Sequence, residues 1–215
     1  MKQTEVGFLL IISGASGAGK DTVMAELLDH PTIKVLNLKK IVTCTDRPPR
    51  QGETHGVDYH FLTKERLQEM STNGELVEEI TLTGSSRKAT PKSEIERLLK
   101  GEDLIWRIDP SRAAEVASEV FFAKNFPKHA KTLQKCTTIL CVTATKETIE
   151  ARRKSRDGAN YNPGEYSARD EQELPHLHIL NEKAVVINNP EGCLEETVNF
   201  AASIIKSNYE KTKNS

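Results

Sequence analysis

A glycine-rich stretch near the start of the chain has the composition of a phosphate-binding loop. It nearly fits the pattern G-x-x-x-x-G-K-[ST], it follows an apolar run, and residues with helical spacing come after it. Glycines allow backbone N–H groups to turn toward phosphate oxygens, and the N-terminus of a helix adds partial positive charge. Lys20 is expected to reach the β- and γ-phosphates of a nucleoside triphosphate. The residues expected to contact the triphosphate are Gly14, Ala15, Ser16, Gly17, Ala18, Gly19, Lys20, Asp21 and Thr22.

The residue after the lysine is acidic, whereas the motif has a serine or threonine whose hydroxyl binds Mg²⁺. A carboxylate is also a good magnesium ligand, but its charge beside a triphosphate must be offset. Thr22 cannot take over this role, because one helical step rotates a side chain by about 100°. We expect Asp21 to bind Mg²⁺ directly or through a water molecule.

A second segment, from Thr43 to Phe61, contains two arginines that flank two prolines. Prolines favour a polyproline-II path, in which residues i and i+3 lie on one side, roughly 9 Å apart. The forked guanidinium groups of Arg47 and Arg50 would then form a clamp for a phosphate monoester. Glu53 can hold one arginine in place, and Tyr59 offers a hydroxyl. The alternative interpretation of this segment is a solvated polar loop.

These residues resemble the signature of the guanylate kinase family, T-R-x-P-R-x-G-E-x-x-G-x-D-Y-x-F, with Asp46 before Arg47 in place of threonine. Residues 73–78 resemble the family's N-G-E-F-(L/I)-E, residues 89–92 its G-T-(S/P)-K, and residues 184–188 its V-V-I-x-N. In the basic stretch 146–156, Arg152 and Arg156 match the family's R-L-x-x-R. Further along the chain, Arg169 matches the arginine that follows the lid. The resemblance covers most of the chain and keeps its order.

The resemblance implies a role for each matching residue. Arg47, Arg50 and Tyr59 would bind the acceptor phosphate, and Thr43, Glu78 and Thr90 would recognise guanine. In that role the Glu78 carboxylate accepts from guanine N1–H and the N2 amino group. Arg152, Arg156 and Arg169 would act with Lys20 and Arg47 on the transferring phosphoryl group, although helix 146–156 also fits an ordinary solvated basic helix. Asp109 would face the acceptor, and Asn188 would lie near adenine.

The implied activity is transfer of the γ-phosphoryl group of ATP, with Mg²⁺, to GMP or dGMP. Three features depart from the family pattern. The tyrosine that precedes G-T is missing, so that Arg87 or Lys88 would take over the acceptor phosphate. Arg107 replaces the first aspartate of L-D-I-D, which leaves base selectivity open. The region between Asp109 and Thr137 is longer than usual, and its role is not predicted.

Three alternatives stay open at this point. Ribose 1,5-bisphosphate phosphokinases also carry G-K-D-[ST], and residues 108–113 resemble their N-G-S-R-A stretch, but they lack the double-arginine signature. A nucleoside monophosphate kinase with another base preference has the same motifs. Guanylate-kinase-like protein-binding modules typically have degraded phosphate loops, whereas Lys20 and both arginines are present here.

The elements that must position these residues alternate between strands and helices, which predicts an α/β fold with a mostly parallel sheet. The resemblance implies a P-loop three-layer fold: a core (5–42, 92–150 and 182–206), an acceptor-binding insert at about 43–91, and a helical lid at about 151–181. Predicted strands are 6–13, 35–44, 75–83, 103–108, 137–143 and 184–187. Predicted helices are 22–29, 64–72, 91–99, 110–120, 146–156, 168–180 and 195–205, with a loop at 157–167 and a fraying tail at 207–215.

The 215 residues carry a net charge of −1, with 37% hydrophobic and 28% charged residues, a globular composition without the basic excess that nucleic acid or membrane binding favours. The apolar start lacks a basic region and a cleavage site, so it predicts a buried strand rather than a signal peptide. Four cysteines without metal-ligand spacing predict free thiols in a reducing cytoplasm. Nothing in the pattern indicates an oligomeric state.

Overall fold

The computed structural model describes residues 6–83 and 86–214. Its strands are β1 (Leu9–Ser13), β2 (Lys39–Lys40), β3 (Cys44–Thr45), β4 (His60–Phe61), β5 (Thr81–Thr83), β6 (Ser86–Ala89), β7 (Leu104–Arg107), β8 (Thr137–Thr143) and β9 (Val185–Asn188). Its α-helices are α1 (Lys20–Asp29), α2 (Pro31–Lys34), α3 (Lys64–Thr72), α4 (Lys92–Glu96), α5 (Pro110–Ala117), α6 (Val120–Asn125), α7 (Ala130–Lys135), α8 (Lys146–Asp157), α9 (Pro163–Lys183) and α10 (Leu194–Lys213).

Five parallel strands form the central sheet in the order β2-β7-β1-β8-β9. Every residue of β1 is buried, because helices cover both faces of the sheet. This confirms the predicted α/β class. The carboxyl ends of β1, β7, β8 and β9 lie at one edge, which is where open α/β sheets place their ligand sites.

Two hydrophobic cores lie on the two faces of this sheet. Helices α1, α2 and α10 pack against one face around residues such as Phe8 and Leu27. Helices α5, α6, α7 and α9 cover the other face, where Phe121, Phe122 and Leu133 are buried with Trp106. The long region between Asp109 and Thr137, whose role the sequence left open, therefore supplies the apolar cover of this face.

A smaller sheet with the order β4-β3-β6-β5 stands beside the central one. Strands β3 and β4 run parallel, whereas β6 is antiparallel to β3 and to β5. Helix α3 closes its apolar side around Leu67 and Met70, and its N-terminus is capped by Thr63. The helix predicted over 64–72 is confirmed with the same bounds.

Two predicted strands are much shorter than the apolar patterns indicated. Within 35–44 the chain turns at Asn37, whose φ is 52°, and only two short pieces pair, one in each sheet. Within 75–83 only the last three residues form a strand, since Leu76 makes an isolated bridge to Pro91. Local β propensity did not distinguish a buried crossing segment from a strand.

Helix boundaries also differ from the predictions. The helix predicted over 110–120 ends at Ala117, because Glu119 takes a left-handed conformation (φ 64°) before α6 begins. The loop predicted over 157–167 is wrong: α9 starts at Pro163, and the Asn162 side chain accepts hydrogen bonds from two backbone N–H groups of its first turn. Proline at the first position together with an asparagine cap was the sequence signal for this start.

The predicted fraying tail is wrong as well, since α10 continues to Lys213; Ser215 lies outside the described residues. Tyr209 Oη donates to Asp103 Oδ2 at 2.8 Å, and Lys213 Nζ donates to Asp103 Oδ1 at 2.7 Å. The ring of Tyr209 meets that of Phe8 edge-on, with 5.4 Å between centroids. Helix α10 is thus fastened across the start of the central sheet.

All four cysteines are free, and Cys44, Cys136 and Cys141 are buried. Burial raises the pKa of each of these three thiols to about 11 or 12, so they are inert hydrophobic side chains near neutral pH. Among the described residues, no helix combines the length and the apolar character required to cross a bilayer.

Replacing Tyr209 by phenylalanine should lower the free energy of unfolding by about 1 kcal/mol, the net value of a typical buried hydrogen bond. Burial, and then the bond to Asp103, raise the pKa of Tyr209 to about 12. The stabilisation is therefore complete below the unfolded pKa of about 10 and is lost as the pH rises through the folded pKa. Urea unfolding across this range measures both effects.

Lys206→Ala is the matched control on the same helix, because it removes only an exposed ion pair, to Glu210 at 3.9 Å. We expect it to change the free energy of unfolding by less than about 0.5 kcal/mol. A Tyr209→Phe protein as stable as this control would show that the tail is not fastened through Asp103.

Candidate functional site

The phosphate loop joins the end of β1 to the start of α1, and its shape depends on glycine. Gly14 has φ 140°, and a Cβ there would stand 2.1 Å from the carbonyl oxygen of Val142. Gly19 has φ 90°, and a Cβ there would meet the Asn189 side chain at 2.5 Å. No side chain caps the N-terminus of α1, so its backbone N–H groups are left for an anion.

Lys20 bends back over this loop. Its ammonium lies 3.4 Å from the carbonyl oxygen of Ala15. Burial lowers the pKa of Lys20; the nearby carboxylate of Asp21 opposes this shift, and the cations of Arg107 and Arg169 reinforce it. An incoming phosphate would supply the negative charge that this buried cation lacks.

Asp21 forms an ion pair with Arg107, with 2.9 Å between Oδ1 and Nε. Two of the residues that depart from the expected motifs, one on α1 and one at the end of β7, therefore neutralise each other. The offset that an acidic residue beside a triphosphate requires is thus built into the site. The Asp21 side chain stays 70% exposed, so it is accessible to a solvated metal ion.

The outer side of the loop is held by side chains from α8 and from the segment after β9. Arg153 Nε donates to the carbonyl oxygen of Ser16 at 3.0 Å, and its two terminal nitrogens bind Asp170 at 2.7 and 2.6 Å. Arg152 donates to the carbonyl oxygen of Ala18 at 3.3 Å and pairs with Glu191. Helix α8 is thus not the ordinary solvated basic helix that the sequence left as an alternative.

Arg153 is a residue that the sequence analysis did not single out. It stands at the leucine position of R-L-x-x-R, and its side chain is only 5% exposed, with its guanidinium 4.4 Å above the Tyr166 ring. A third arginine in a run of basic residues carried no sequence signal of burial. Its carboxylate partner, Asp170, lies on another helix, and nothing in the sequence indicates that residues 153 and 170 form a pair.

The other expected lid arginines point elsewhere in this structure. Arg156 binds the carboxylate of Asp157 at 2.9 Å and the hydroxyl of Tyr166. Arg169 pairs with Glu173 at 2.8 Å. A cavity of about 220 Å³ separates the turn at Asp157 from Arg169. Arg169 is close enough to Lys20 to help lower the pKa of that lysine, whereas the contacts of Arg156 are with Asp157 and Tyr166.

The predicted Asn188 is exposed at the end of β9, and its neighbour Asn189 faces the loop instead. Asn189 Nδ2 donates to the carbonyl oxygen of Ala18 at 3.0 Å. Its Oδ1 atom is buried and has no hydrogen-bond partner among the described residues. Asn189 therefore supports the shape of the phosphate loop through its amide nitrogen.

The arginine segment is braced by Glu53. Both Glu53 carboxylate oxygens accept from the Arg47 guanidinium at 2.6 Å, and one accepts from the Arg50 backbone N–H at 2.7 Å. These bonds, Arg47 first, lower the pKa of Glu53 to about 2. Arg47 also lies over the ring of Tyr59, 5.1 Å from its centroid. The side chain of Arg47 is therefore fixed before any phosphate binds.

The structure distinguishes between the two cations proposed to replace the missing tyrosine. The Arg87 guanidinium and backbone N–H both bind Asp46, at 2.8 and 2.7 Å. Lys88 Nζ instead reaches the Tyr59 hydroxyl at 3.1 Å. The cation beside the expected acceptor phosphate is therefore Lys88.

The residues expected to recognise a base form a second group. Glu78 Oε1 accepts from the Thr90 backbone N–H at 2.9 Å, and its Oε2 accepts from Arg112 Nε at 2.8 Å. Asp109 caps α5 by accepting from the Arg112 backbone N–H at 3.1 Å. Arg112 was not predicted as a site residue.

A cleft of about 140 Å³ lies between the two sheets. Thr43, Tyr59 and Arg107 line it together with the exposed Lys40. Arg107 in this lining pairs with Asp21 next to the phosphate loop, and the ring of Tyr59 lies against the braced Arg47. The arrangement suits two phosphorylated molecules that meet in the cleft, with cations around the group passed between them.

Comparison with known proteins gives consistent results. The Guanylate kinase family model matches residues 7–166. The guanylate kinase of Clostridioides difficile is 41% identical over 112 residues, which are 51% of this chain; the matched stretch spans about half of that protein (52%). The guanylate kinase of Fusobacterium nucleatum subsp. nucleatum is 32% identical over 204 residues, 94% of this chain and 97% of that protein.

The fold has a counterpart among solved structures. A crystal structure of guanylate kinase from Anaplasma phagocytophilum matches with a TM-score of 0.59, at 21% identity, over 94% of this chain and 86% of that one. At this level of identity the likeness concerns the fold, and it agrees with the P-loop architecture.

Replacing Asp170 by alanine should lower the free energy of unfolding by about 1–2 kcal/mol, because the buried Arg153 cation would lose its carboxylate; exposure of Asp170 keeps the loss below that of a fully buried pair. The control is Glu150→Ala, which removes an exposed ion pair with Lys154 on α8, the helix that carries Arg153. Urea unfolding measures both. Equal losses in the two variants would contradict a structural role for the Arg153–Asp170 contact between α8 and α9.

Proposed function

The chain belongs to the guanylate kinase family, and from this premise we propose that it transfers the γ-phosphoryl group of ATP to GMP or dGMP, giving ADP and GDP or dGDP. The observation that carries the proposal is the cleft between the two sheets. Arg107 on one side of it pairs with Asp21 next to the phosphate loop, and the Tyr59 ring on the other side lies against Arg47, which Glu53 braces. One wall suits a triphosphate, and the other suits a phosphate monoester.

We assign the parts of the chain accordingly. Residues 43–91, which contain the smaller sheet, form the acceptor-binding insert, and residues 151–181 form the lid over the core. ATP would lie on the loop from Gly14 to Thr22, with its adenine toward residues 188–189. A cytoplasmic location stays a prediction from the free thiols.

On the acceptor side, Arg47 and Arg50 would bind the phosphate with Tyr59, and Lys88 would add the charge that replaces the missing tyrosine. Thr43, Glu78 and Thr90 would bind the base. Fixing the acceptor phosphate beside the phosphate loop converts a bimolecular transfer into one within a single complex. Asp109 was expected to face the acceptor, but one of its carboxylate oxygens already accepts a hydrogen bond that caps α5.

On the donor side, Lys20 would bind the β- and γ-phosphates. Arg152, Arg156 and Arg169 would neutralise charge on the transferring group once the lid closes, which requires Arg156 and Arg169 to leave their present carboxylate partners. Closure also excludes water, which would otherwise compete as the phosphoryl acceptor.

Magnesium fits the site through Asp21. Mg²⁺ in kinases is commonly bound by one or two carboxylates together with substrate phosphates and water. Asp21 is such a carboxylate, largely exposed beside the loop, and Arg107 offsets part of its charge. When bound, the ion would neutralise charge on the phosphate oxygens, while Arg107 keeps Asp21 oriented.

The decisive experiment is an acceptor panel of GMP, dGMP, AMP, UMP and ribose 1,5-bisphosphate, with ATP and a coupled ADP assay. Preference for GMP supports the proposal. Preference for the ribose compound would favour the phosphokinase, equal use of AMP would favour another base preference, and no transfer to any acceptor would favour a protein-binding module.

Arg47→Ala and Glu78→Ala should affect this panel differently. Loss of Arg47 should lower kcat/KM about 100-fold for every monophosphate, because each has the same phosphate. Loss of Glu78 should lower it for GMP alone and relax the choice of base. Glu79→Ala, next to Glu78 and exposed, is the control. The same acceptor profile in both variants would contradict the assigned roles.

Asp21→Ala should raise the Mg²⁺ concentration needed for half-maximal activity about tenfold, as expected when one ligand of a bound ion is lost. The measurement is a magnesium titration at fixed ATP. Glu26→Ala, an exposed acid further along α1, is the control. Unchanged magnesium dependence in Asp21→Ala would exclude the metal role.

A further inference from the structure

Arg112 lies in the first turn of α5, where it contacts a residue assigned to base binding. Its Nε donates to Glu78 Oε2 at 2.8 Å, and its Nη1 binds Glu115 on the same helix. The side chains of Arg112 and Glu78 are only 18% and 14% exposed. The base-binding carboxylate is thus paired with a cation that the sequence did not assign to the site.

Stability alone does not account for this pair. Removing two charges from water costs about as much as their attraction returns, so a largely buried ion pair is weak evidence for stabilisation. The pair does fix the orientation of both groups. Glu78 is held on one oxygen by the Thr90 backbone and on the other by Arg112, which leaves further lone pairs on both oxygens.

The guanidinium geometry leaves one donor beside Glu78. In arginine, Nε–H and one N–H of Nη2 point along the same edge of the planar group. Nε faces Glu78, Nη1 faces Glu115, and no hydrogen bond to Nη2 is found among the described residues. Nη2 therefore extends along the edge that already faces the carboxylate, next to whatever that carboxylate binds.

A carboxylate beside a guanidinium complements one edge of a 6-oxopurine. The carboxylate accepts from N1–H and from the 2-amino group, and the guanidinium donates to the neighbouring O6. Adenine has the opposite pattern, because its 6-amino group is a donor and its N1 is an acceptor. A buried donor facing another donor leaves both unsatisfied, and this discriminates strongly.

We propose that Arg112 is a second base-binding residue, which donates from Nη2 to O6 of the acceptor purine while Glu78 binds N1–H. This inference rests on the proposed function, since it concerns the same acceptor site. It makes the pair, rather than Glu78 alone, the determinant of a 6-oxopurine acceptor.

The test compares GMP with 6-thio-GMP, which keeps N1–H and the 2-amino group but replaces O6 by sulfur, a weak acceptor. In wild-type protein kcat/KM for GMP should exceed that for the thio compound about tenfold or more. In Arg112→Ala the GMP value should fall about 10- to 100-fold, and the ratio between the two acceptors should approach one. AMP should gain relative to GMP.

The ratio separates base contact from support of Glu78. If Arg112 only positioned Glu78, both acceptors would fall together and the ratio would stay at its wild-type value, which would overturn the proposal. A ratio measured on one sample is also independent of the fraction of folded protein. Arg112→Met, which keeps an aliphatic side chain but has no donor, gives the same readout if the alanine variant does not fold: a wild-type ratio there overturns the proposal, and a lowered ratio supports it.

Arg66→Ala is the matched control, because Arg66 also bridges two glutamates but lies exposed on α3. It should leave the ratio unchanged. Failure of the proposed function is distinguishable from failure of this inference: in the first case wild-type protein does not phosphorylate GMP at all, whereas in the second it does so with an Arg112-independent ratio.

Discussion

The backbone of the phosphate loop sets the requirement on which the rest of the site depends. When its N–H groups turn inward to an anion, its carbonyl groups must turn outward, and buried carbonyl groups need donors. Arg153 supplies one to Ser16, and Asn189 and Arg152 supply theirs to Ala18. Helices α8 and α9 and the end of β9 are therefore tied to the loop by its own hydrogen-bonding requirement. The glycines serve the same end, because a side chain at Gly14 would collide with β8.

A site for two phosphorylated molecules must hold many cations before the anions arrive. The protein does this by pairing several of these cations with carboxylates that fix their direction. Glu53 aligns Arg47, and Asp21 aligns Arg107. Where no carboxylate bonds to the cation, as for Lys20, burial lowers its pKa and makes a phosphate the favoured partner. The exposed arginines Arg156 and Arg169 have ion pairs weak enough to exchange, whereas the Arg153–Asp170 pair holds the loop in place.

The sequence predicted what depends on local pattern. The apolar run in β8 and the capped helix α3 agree with the structure to the residue, and the central parallel sheet follows from the strand–helix alternation. It failed where a partly buried segment makes only an isolated bridge, as in residues 75–80, and where distant contacts decide the outcome. The tail is helical because Tyr209 reaches Asp103, which no local propensity shows. The roles of individual site residues rest on family resemblance, while their contacts had to come from the structure.

The departures from the family pattern also change meaning once their contacts are known. Considered one position at a time, Asp21 adds an unwanted charge and Arg107 removes a needed one. Together they form one ion pair at the phosphate loop. Lys88 adds a cation beside the hydroxyl of Tyr59, in the region where the family's tyrosine is missing. Arg112 is a further example, because its charge is paired with the carboxylate of Glu78, the residue proposed to bind the base. Asp21, Arg107 and Arg112 thus each have an oppositely charged partner in place, so they add no isolated charge to the site, and under the proposed function the choice of acceptor would depend on the Glu78–Arg112 pair.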